Sequence, residues 1–270
     1  MILNQLKDYL SDFIHQNLSI EEVGILYSGG IDSSIIIKIL IEEIGINRIK
    51  PVTVGVKESH DVQNALNGGR ELGFELNVCL LDSSLVNSAI ERIFKMNVVS
   101  DVGKLAIAIP LFVGMKFLSQ KNVRVVFLGQ GADELFGGYK KYAELYRESK
   151  EAEVSKMMHN DLLSLVTDQM IMEKQIAKYI GITLVYPFLS PTVIKFAQSI
   201  PIRKHIIGNK DQPIRKALLR NLAENLGLSA KISNQPKKAL QYGSGTVKLL
   251  RKIAKEAGYS NLPLWFESIS

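Results

Sequence analysis

The heptapeptide Ser28-Gly29-Gly30-Ile31-Asp32-Ser33-Ser34 follows the apolar run Val23 to Tyr27 and precedes Ile35-Ile36-Ile37-Lys38-Ile39-Leu40. That order predicts a strand, a tight loop and a buried helix in close succession. Two glycines let the backbone approach an anion, the serines add hydroxyl donors, and the free N–H groups of the following helix point at the same place. Asp32 would repel a bound phosphate unless a divalent cation bridges the two, and Mg²⁺ is the usual choice.

The commoner phosphate loop, G-x-x-x-x-G-K-S/T, occurs nowhere in the chain. The heptapeptide instead resembles the S-G-G-x-D-S loop of the ATP pyrophosphatase family, whose members split ATP between its α and β phosphates.

The flanking pattern extends the first motif into a fold. Leu3, Leu6, Leu10, Phe13 and Ile14 predict an amphipathic helix over residues 2 to 14. Buried strands are expected at Pro51 to Val56, Phe74 to Leu80 and Val123 to Leu128, with helices over 60 to 72, 84 to 96 and 102 to 118, the last interrupted by Pro110. Alternation of this kind predicts an α/β fold, a parallel sheet with helices on both faces. Beyond residue 140 helical periodicity takes over, Val185 to Leu189 being a short apolar bridge. The expected organisation is one domain over 1–270, with an α/β core over 1–140 and a helical cap over 141–270.

A second glycine loop, Gly129-Gln130-Gly131-Ala132-Asp133-Glu134-Leu135-Phe136-Gly137-Gly138-Tyr139, follows the fourth strand. It places Asp133 to supply a second carboxylate to the same metal. With the first loop, this segment resembles the G-E-G-x-D-E-x-F-G-G-Y signature of the asparagine synthetase family's synthetase domain. Val185 to Leu189 is similar to that family's V-P-F-L, Ile200-Pro201 to a Leu-Pro, and Gln235-Pro236-Lys237 to an Arg-Pro-Lys.

The resemblance implies an adenine nucleotide alpha hydrolase-like fold and activation of a carboxylate by ATP. An acyl-adenylate and pyrophosphate form, and ammonia or an amine then displaces AMP. Carried onto this chain, it gives Ser28, Gly29, Gly30, Asp32, Ser33 and Ser34 a place around pyrophosphate and metal. It puts Leu26, Val54 and Gly129 around the adenosine, and Asp32 and Asp133 on Mg²⁺. It also gives Lys237 the charge developing at the α phosphate, with Lys210 a weaker phosphate contact.

The chain departs from the family in three places. An N-terminal glutaminase domain with a terminal cysteine nucleophile is not expected within the sequence, so nitrogen would come from free ammonium, a separate glutaminase subunit or a substrate amine. Gln130 and Leu128 stand where the family has an acid and a serine, which opens the identity of the acceptor. Lys237 to Thr246 departs from the K-Q-G-F tail, and its Gly-Ser-Gly-Thr resembles the β-lactam synthetase branch.

Composition excludes several other classes. With 46% hydrophobic and 22% charged residues in 270, the chain is an ordinary globular one. No apolar run of about 18 residues and no signal-peptide pattern is apparent in the sequence, so a cytoplasmic location is expected. Cys79 alone can form neither an internal disulfide nor a cysteine-rich metal site. A net charge of +6 suits ATP and pyrophosphate. The basic residues are dispersed, without the block that marks a nucleic-acid strip. His15, His60, His159 and His205 have no metal-site spacing, and Trp265 with Tyr139, Tyr142 and Tyr146 reads as packing. Two other functions remain open: a ligase modifying a nucleotide or tRNA, and a non-catalytic ATP-binding subunit of a glutaminase complex. A homo-oligomer is compatible with each of these readings, the ligase included.

Overall fold

A computed structural model describes residues 1–208, 212–235 and 238–270, so Lys210 and Lys237 lie outside the described residues. Helix α1 (Ile2–Gln16) precedes β1 (Val23–Leu26), α2 (Ile31–Ile44), β2 (Ile49–Gly55), α3 (His60–Leu72), β3 (Asn77–Leu80), α4 (Ser83–Lys95), α5 (Val102–Gln120) and β4 (Val125–Phe127). Helices α6 (Ala132–Phe136), α7 (Lys140–Arg147), α8 (Glu151–Ser164) and α9 (Met170–Ile180) then lead to β5 (Thr183–Val185). After it come α10 (Pro191–Ser199), α11 (Ile202–His205), α12 (Ala217–Asn225), α13 (Ala230–Ser233), α14 (Leu240–Gly243), α15 (Thr246–Glu256) and α16 (Leu262–Ile269).

The described strands form one five-stranded parallel sheet in the order β3-β2-β1-β4-β5. The chain runs outward from β1 through β2 to β3 and then returns to the other side of β1 as β4. This reversal opens a crevice beyond the carboxyl ends of β1 and β4, where open α/β sheets bind ligands. The first glycine loop follows β1 and the second follows β4.

Two apolar cores sandwich the sheet, one on each face. Leu6, Leu10 and Ile14 of α1 are fully buried along one face, at the spacing the sequence predicts. They seal α2, whose Ile35, Ile36, Ile37, Ile39 and Leu40 have no exposed surface because sheet, α1 and α12 enclose that helix. On the other face lies α5, long and apolar enough to cross a membrane by length and composition, contrary to the sequence expectation of no such run. Its apolar surface is spent on packing against β2, α4, α9 and α15. The helix continues through Pro110.

The apolar bridge expected at Val185 to Leu189 is preceded by an edge strand that the sequence reading did not foresee, Thr183–Val185, paired in parallel with β4 from Val125↔Thr183 to Phe127↔Val185. The second half of the chain thus contributes to the sheet itself. A π-helical turn, Leu165–Gln169, joins α8 to α9. Such widened turns re-aim side chains, and here both Leu165 and Gln169 reach the crevice wall. Cys79 lies half-buried in β3, where burial pushes its thiol up to about 11.

Candidate active site

A cavity of about 230 Å³ opens at the carboxyl ends of β1, β2 and β4. Its walls include Leu26, Ser28, Gly30, Asp32, Ser33, Val54, Gly129 and Asp133, so most of the residues singled out from sequence converge there.

Local chemistry explains the shape of the first loop. Gly29 takes a left-handed φ of 70°, and a Cβ there would overlap the backbone of Asn64 and Ala65 on α3. Gly30 then caps α2 with extended backbone. The Ser28 and Ser33 hydroxyls lie 3.3 Å apart, and Ser33 donates to the Gly30 carbonyl at 3.1 Å. The loop is therefore organised before any anion arrives. Gly29→Ala combines the left-handed cost with a backbone collision and should lose at least about 2 kcal/mol of stability. Urea unfolding measures this, and a loss below 0.5 kcal/mol would show that α3 yields easily.

Ser34 and Gly29 do not face the cavity in the way the resemblance implies. The Ser34 hydroxyl is fully buried and bonds the Tyr27 hydroxyl at 3.0 Å. That bond opposes the burial which raises Tyr27 to about 12. Gly29 packs on α3 and acts through the turn it permits. Ser28 and Ser33 remain the hydroxyls on the wall.

The largest feature absent from the sequence reading is Lys216. It is the N-cap of α12, holds a left-handed φ of 54° and is 4% exposed. Its ammonium lies 2.7 and 2.6 Å from the two Asp32 oxygens and 2.7 Å from Asp133 Oδ1. Two carboxylates thus converge on one buried cation, as they would on a metal. Arg215, one residue earlier, donates to the Gly138 carbonyl at 2.7 Å and ties this segment to the second glycine loop. Arg220 on α12 donates to the carbonyls of Arg215 and Ser233 and to Asn234 Oδ1. Burial and the neighbouring Arg215 guanidinium lower its pKa from the ordinary value.

Within the second loop, Glu134 accepts from the Tyr139 hydroxyl at 2.6 Å, bracing the turn. Burial first, then the Glu134 and Asp133 carboxylates, raises the Tyr139 phenol well above its usual range. Tyr139 also lines the cavity, so it is more than the packing residue its helical spacing suggests. His60 is on the wall as well, 3.2 Å from Asp61. Trp265 is buried in the core as expected, whereas His15 is exposed beside Glu43 and His205 is buried against the Ala197 carbonyl.

Gln130 does not stand alone in place of the family acid. Its amide donates to Glu173 Oε1 at 3.2 Å, joined there by Gln169 at 2.8 Å, while the Tyr186 hydroxyl donates to Oε2 at 2.9 Å. Glu173 has no exposed surface, and its burial raises its pKa against the pull of these three donors. The only sequence signal for it is a carboxylate set among Met170, Met172 and Ile176.

The donor set suits a hard divalent cation. Asp32 and Asp133 supply two oxygens, and Mg²⁺ characteristically takes one or two carboxylates and completes its shell with water and phosphate oxygens. Among the described residues no group of three or more His, Cys, Asp or Glu could hold a metal without such help.

The chain matches the asparagine synthase family over residues 5–153 and 143–261. A Methanocaldococcus jannaschii protein assigned by name as a glutamine-hydrolysing asparagine synthetase is 30% identical over 94% of this chain and 52% of its own length. The Gallus gallus glutamine-hydrolysing asparagine synthetase is 28% identical over 84% of this chain and 40% of its own. The chain therefore spans about half the length of these curated relatives. Among solved structures, the U34-tRNA thiolase NcsA of Methanococcus maripaludis aligns over 99% of this chain and 77% of its own, with 14% identity and a TM-score of 0.48. With paired glycine loops at the sheet's switch point and a family match running nearly end to end, the chain belongs to the asparagine synthase family.

Proposed function

We propose that this chain is an ATP-dependent amide-forming ligase that releases AMP and pyrophosphate. The observation that carries the reading is the buried meeting of Lys216 with Asp32 and Asp133 beside the Ser28–Ser33 loop. Cations, carboxylates and hydroxyls together match a metal-bound polyphosphate better than any of them would alone.

In the proposed reaction a carboxylate oxygen of the acceptor attacks the α phosphorus, and the bond from that phosphorus to the leaving pyrophosphate breaks. The nitrogen of an amine or ammonia then attacks the acyl carbon, the carbon–oxygen bond to AMP breaks, and the nitrogen gives up a proton. Asp32 and Asp133 would hold Mg²⁺, which when bound neutralises charge on the leaving phosphates. Lys216 turns from the carboxylates toward those phosphates, while Ser28, Ser33 and the N-terminus of α2 bind their outer oxygens. Leu26, Val54 and Gly129 border the adenosine. Lys237 is proposed to meet charge at the α phosphate, on the strength of the family motif. Nitrogen comes as free ammonium, as a substrate amine, or as ammonia released from glutamine outside residues 1–270.

Pyrophosphate release from ATP tests this directly, with aspartate as the first acceptor and ammonium as the smallest nitrogen donor. Release should require a carboxylate and cease on chelation of divalent ions. Normal ATP binding with no release from a broad panel of carboxylates would overturn the ligase reading.

A further inference from the structure

Gln130 and Gln169 both stand on the cavity wall, and both spend an amide nitrogen on the same oxygen of buried Glu173. Glu173 Oε1 accepts from both amides, so each glutamine presents its nitrogen to it. Each amide oxygen is thereby turned away from Glu173 as an acceptor. Tyr186 fixes the other Glu173 oxygen, which stops the carboxylate from rotating.

The surrounding wall is apolar. Ile107, Pro110 and Leu111 of α5, with Leu128 and Leu165, line the same cavity, and the π-helical turn places Leu165 one turn before Gln169. A pair of amide oxygens offers acceptors that complement N–H donors and disfavour a carboxylate, which has only acceptors of its own. The apolar wall complements hydrocarbon.

We propose that Gln130 and Gln169, oriented by Glu173, form a subsite for a primary amine borne on an apolar body, and that such an amine is the nucleophile this chain prefers over ammonia. This inference rests on the amide-ligase reading for its chemical role but not for its binding test. Glu173 is a positioning residue, since it acts through the two amides. Each methylene buried against α5 should strengthen binding by on the order of fourfold.

Saturation-transfer NMR with butylammonium chloride, on the full chain loaded with Mg-ATP and no carboxylate, reads binding without turnover. Strong transfer is expected from the wild type, with the alkyl protons nearest the protein. Transfer should fall at least fivefold in Gln130→Leu, Gln169→Leu and Glu173→Ala. Glu173→Gln should retain it within twofold, because the new amide oxygen still accepts from both glutamines while its nitrogen donates to the Tyr186 hydroxyl. ATP affinity should stay within twofold in every variant. Absence of transfer in the wild type, or equal loss in Glu173→Gln and Glu173→Ala, would overturn the proposal. If Glu173→Ala fails to fold, the two glutamine variants still decide. Failure of pyrophosphate release alone would count against the ligase reading and leave the amine subsite standing. Where release is seen, the KM for butylamine should lie at least tenfold below that for ammonium, and in Gln130→Leu that KM should rise while the KM for ATP holds.

Discussion

Lys216→Met is expected to destabilise the protein by about 3–5 kcal/mol in metal-free buffer, and millimolar Mg²⁺ should restore most of the loss. The Lys216 side chain is 5% exposed, and those of Asp32 and Asp133 are 12% and 8% exposed. Within that trio the formal charge is one negative. Removing the ammonium leaves two buried carboxylates facing one another across the space it filled, and methionine supplies no donor to either. A divalent cation can take the ammonium's place, because the same oxygens suit it. For a chain of this size the loss corresponds to a fall of roughly 10 °C in the thermal midpoint. Differential scanning fluorimetry with and without Mg²⁺ makes the comparison. A midpoint that ignores either the substitution or the metal would mean that the two carboxylates do not form a cation site.

Asp32→Ala should act in the opposite sense, mild in stability and severe in turnover. Lys216 keeps Asp133 at 2.7 Å, so the remaining pair is neutral and buried. The proposed metal, however, loses one of its two protein oxygens at the phosphates where charge develops. A drop of about 10³-fold in pyrophosphate release is expected, or ~4 kcal/mol of barrier. Ser33→Ala removes one hydroxyl from a loop that keeps Ser28 and its backbone donors, and should cost about tenfold or less. Steady-state assays of the two variants side by side check the ranking. Equal losses would remove Asp32 from the metal-holding role.

The strands and glycine loops were legible because their signals are local. An apolar run followed by Gly-Gly, or by Gly-x-Gly, states a strand end and a turn within ten residues. The α3 boundaries, His60 and Leu72, coincide with the span expected from periodicity. By contrast β5 is three residues long, begins with exposed Thr183 and sits in a stretch dominated by helix, so its pairing with β4 is decided by the sheet. Ser34 looks like a phosphate ligand in one dimension, but the helical turn carries it toward Tyr27.

The cations were the hardest to read. Sequence reasoning weighed Lys210 and Lys237 by motif spacing and passed over Lys216, which looks like an ordinary basic residue in Arg215-Lys216-Ala217-Leu218-Leu219-Arg220. Only its left-handed backbone at the start of α12 aims it into the protein. Glu173 was hidden for a related reason, because a lone glutamate in a helix is usually solvated and nothing nearby announces that two glutamines and a tyrosine will converge on it.

The pairing of Lys216 with Asp32 joins residues 184 positions apart. A contact of that sequence separation is among the last that a folding chain can make, since the entropy of closing the intervening loop must first be offset by the sheet and its flanking helices. The cation–carboxylate cluster is therefore assembled only when the start of α12 has docked against the two glycine loops. A fragment ending at the second glycine loop would hold both aspartates without the Lys216 ammonium that lies between them.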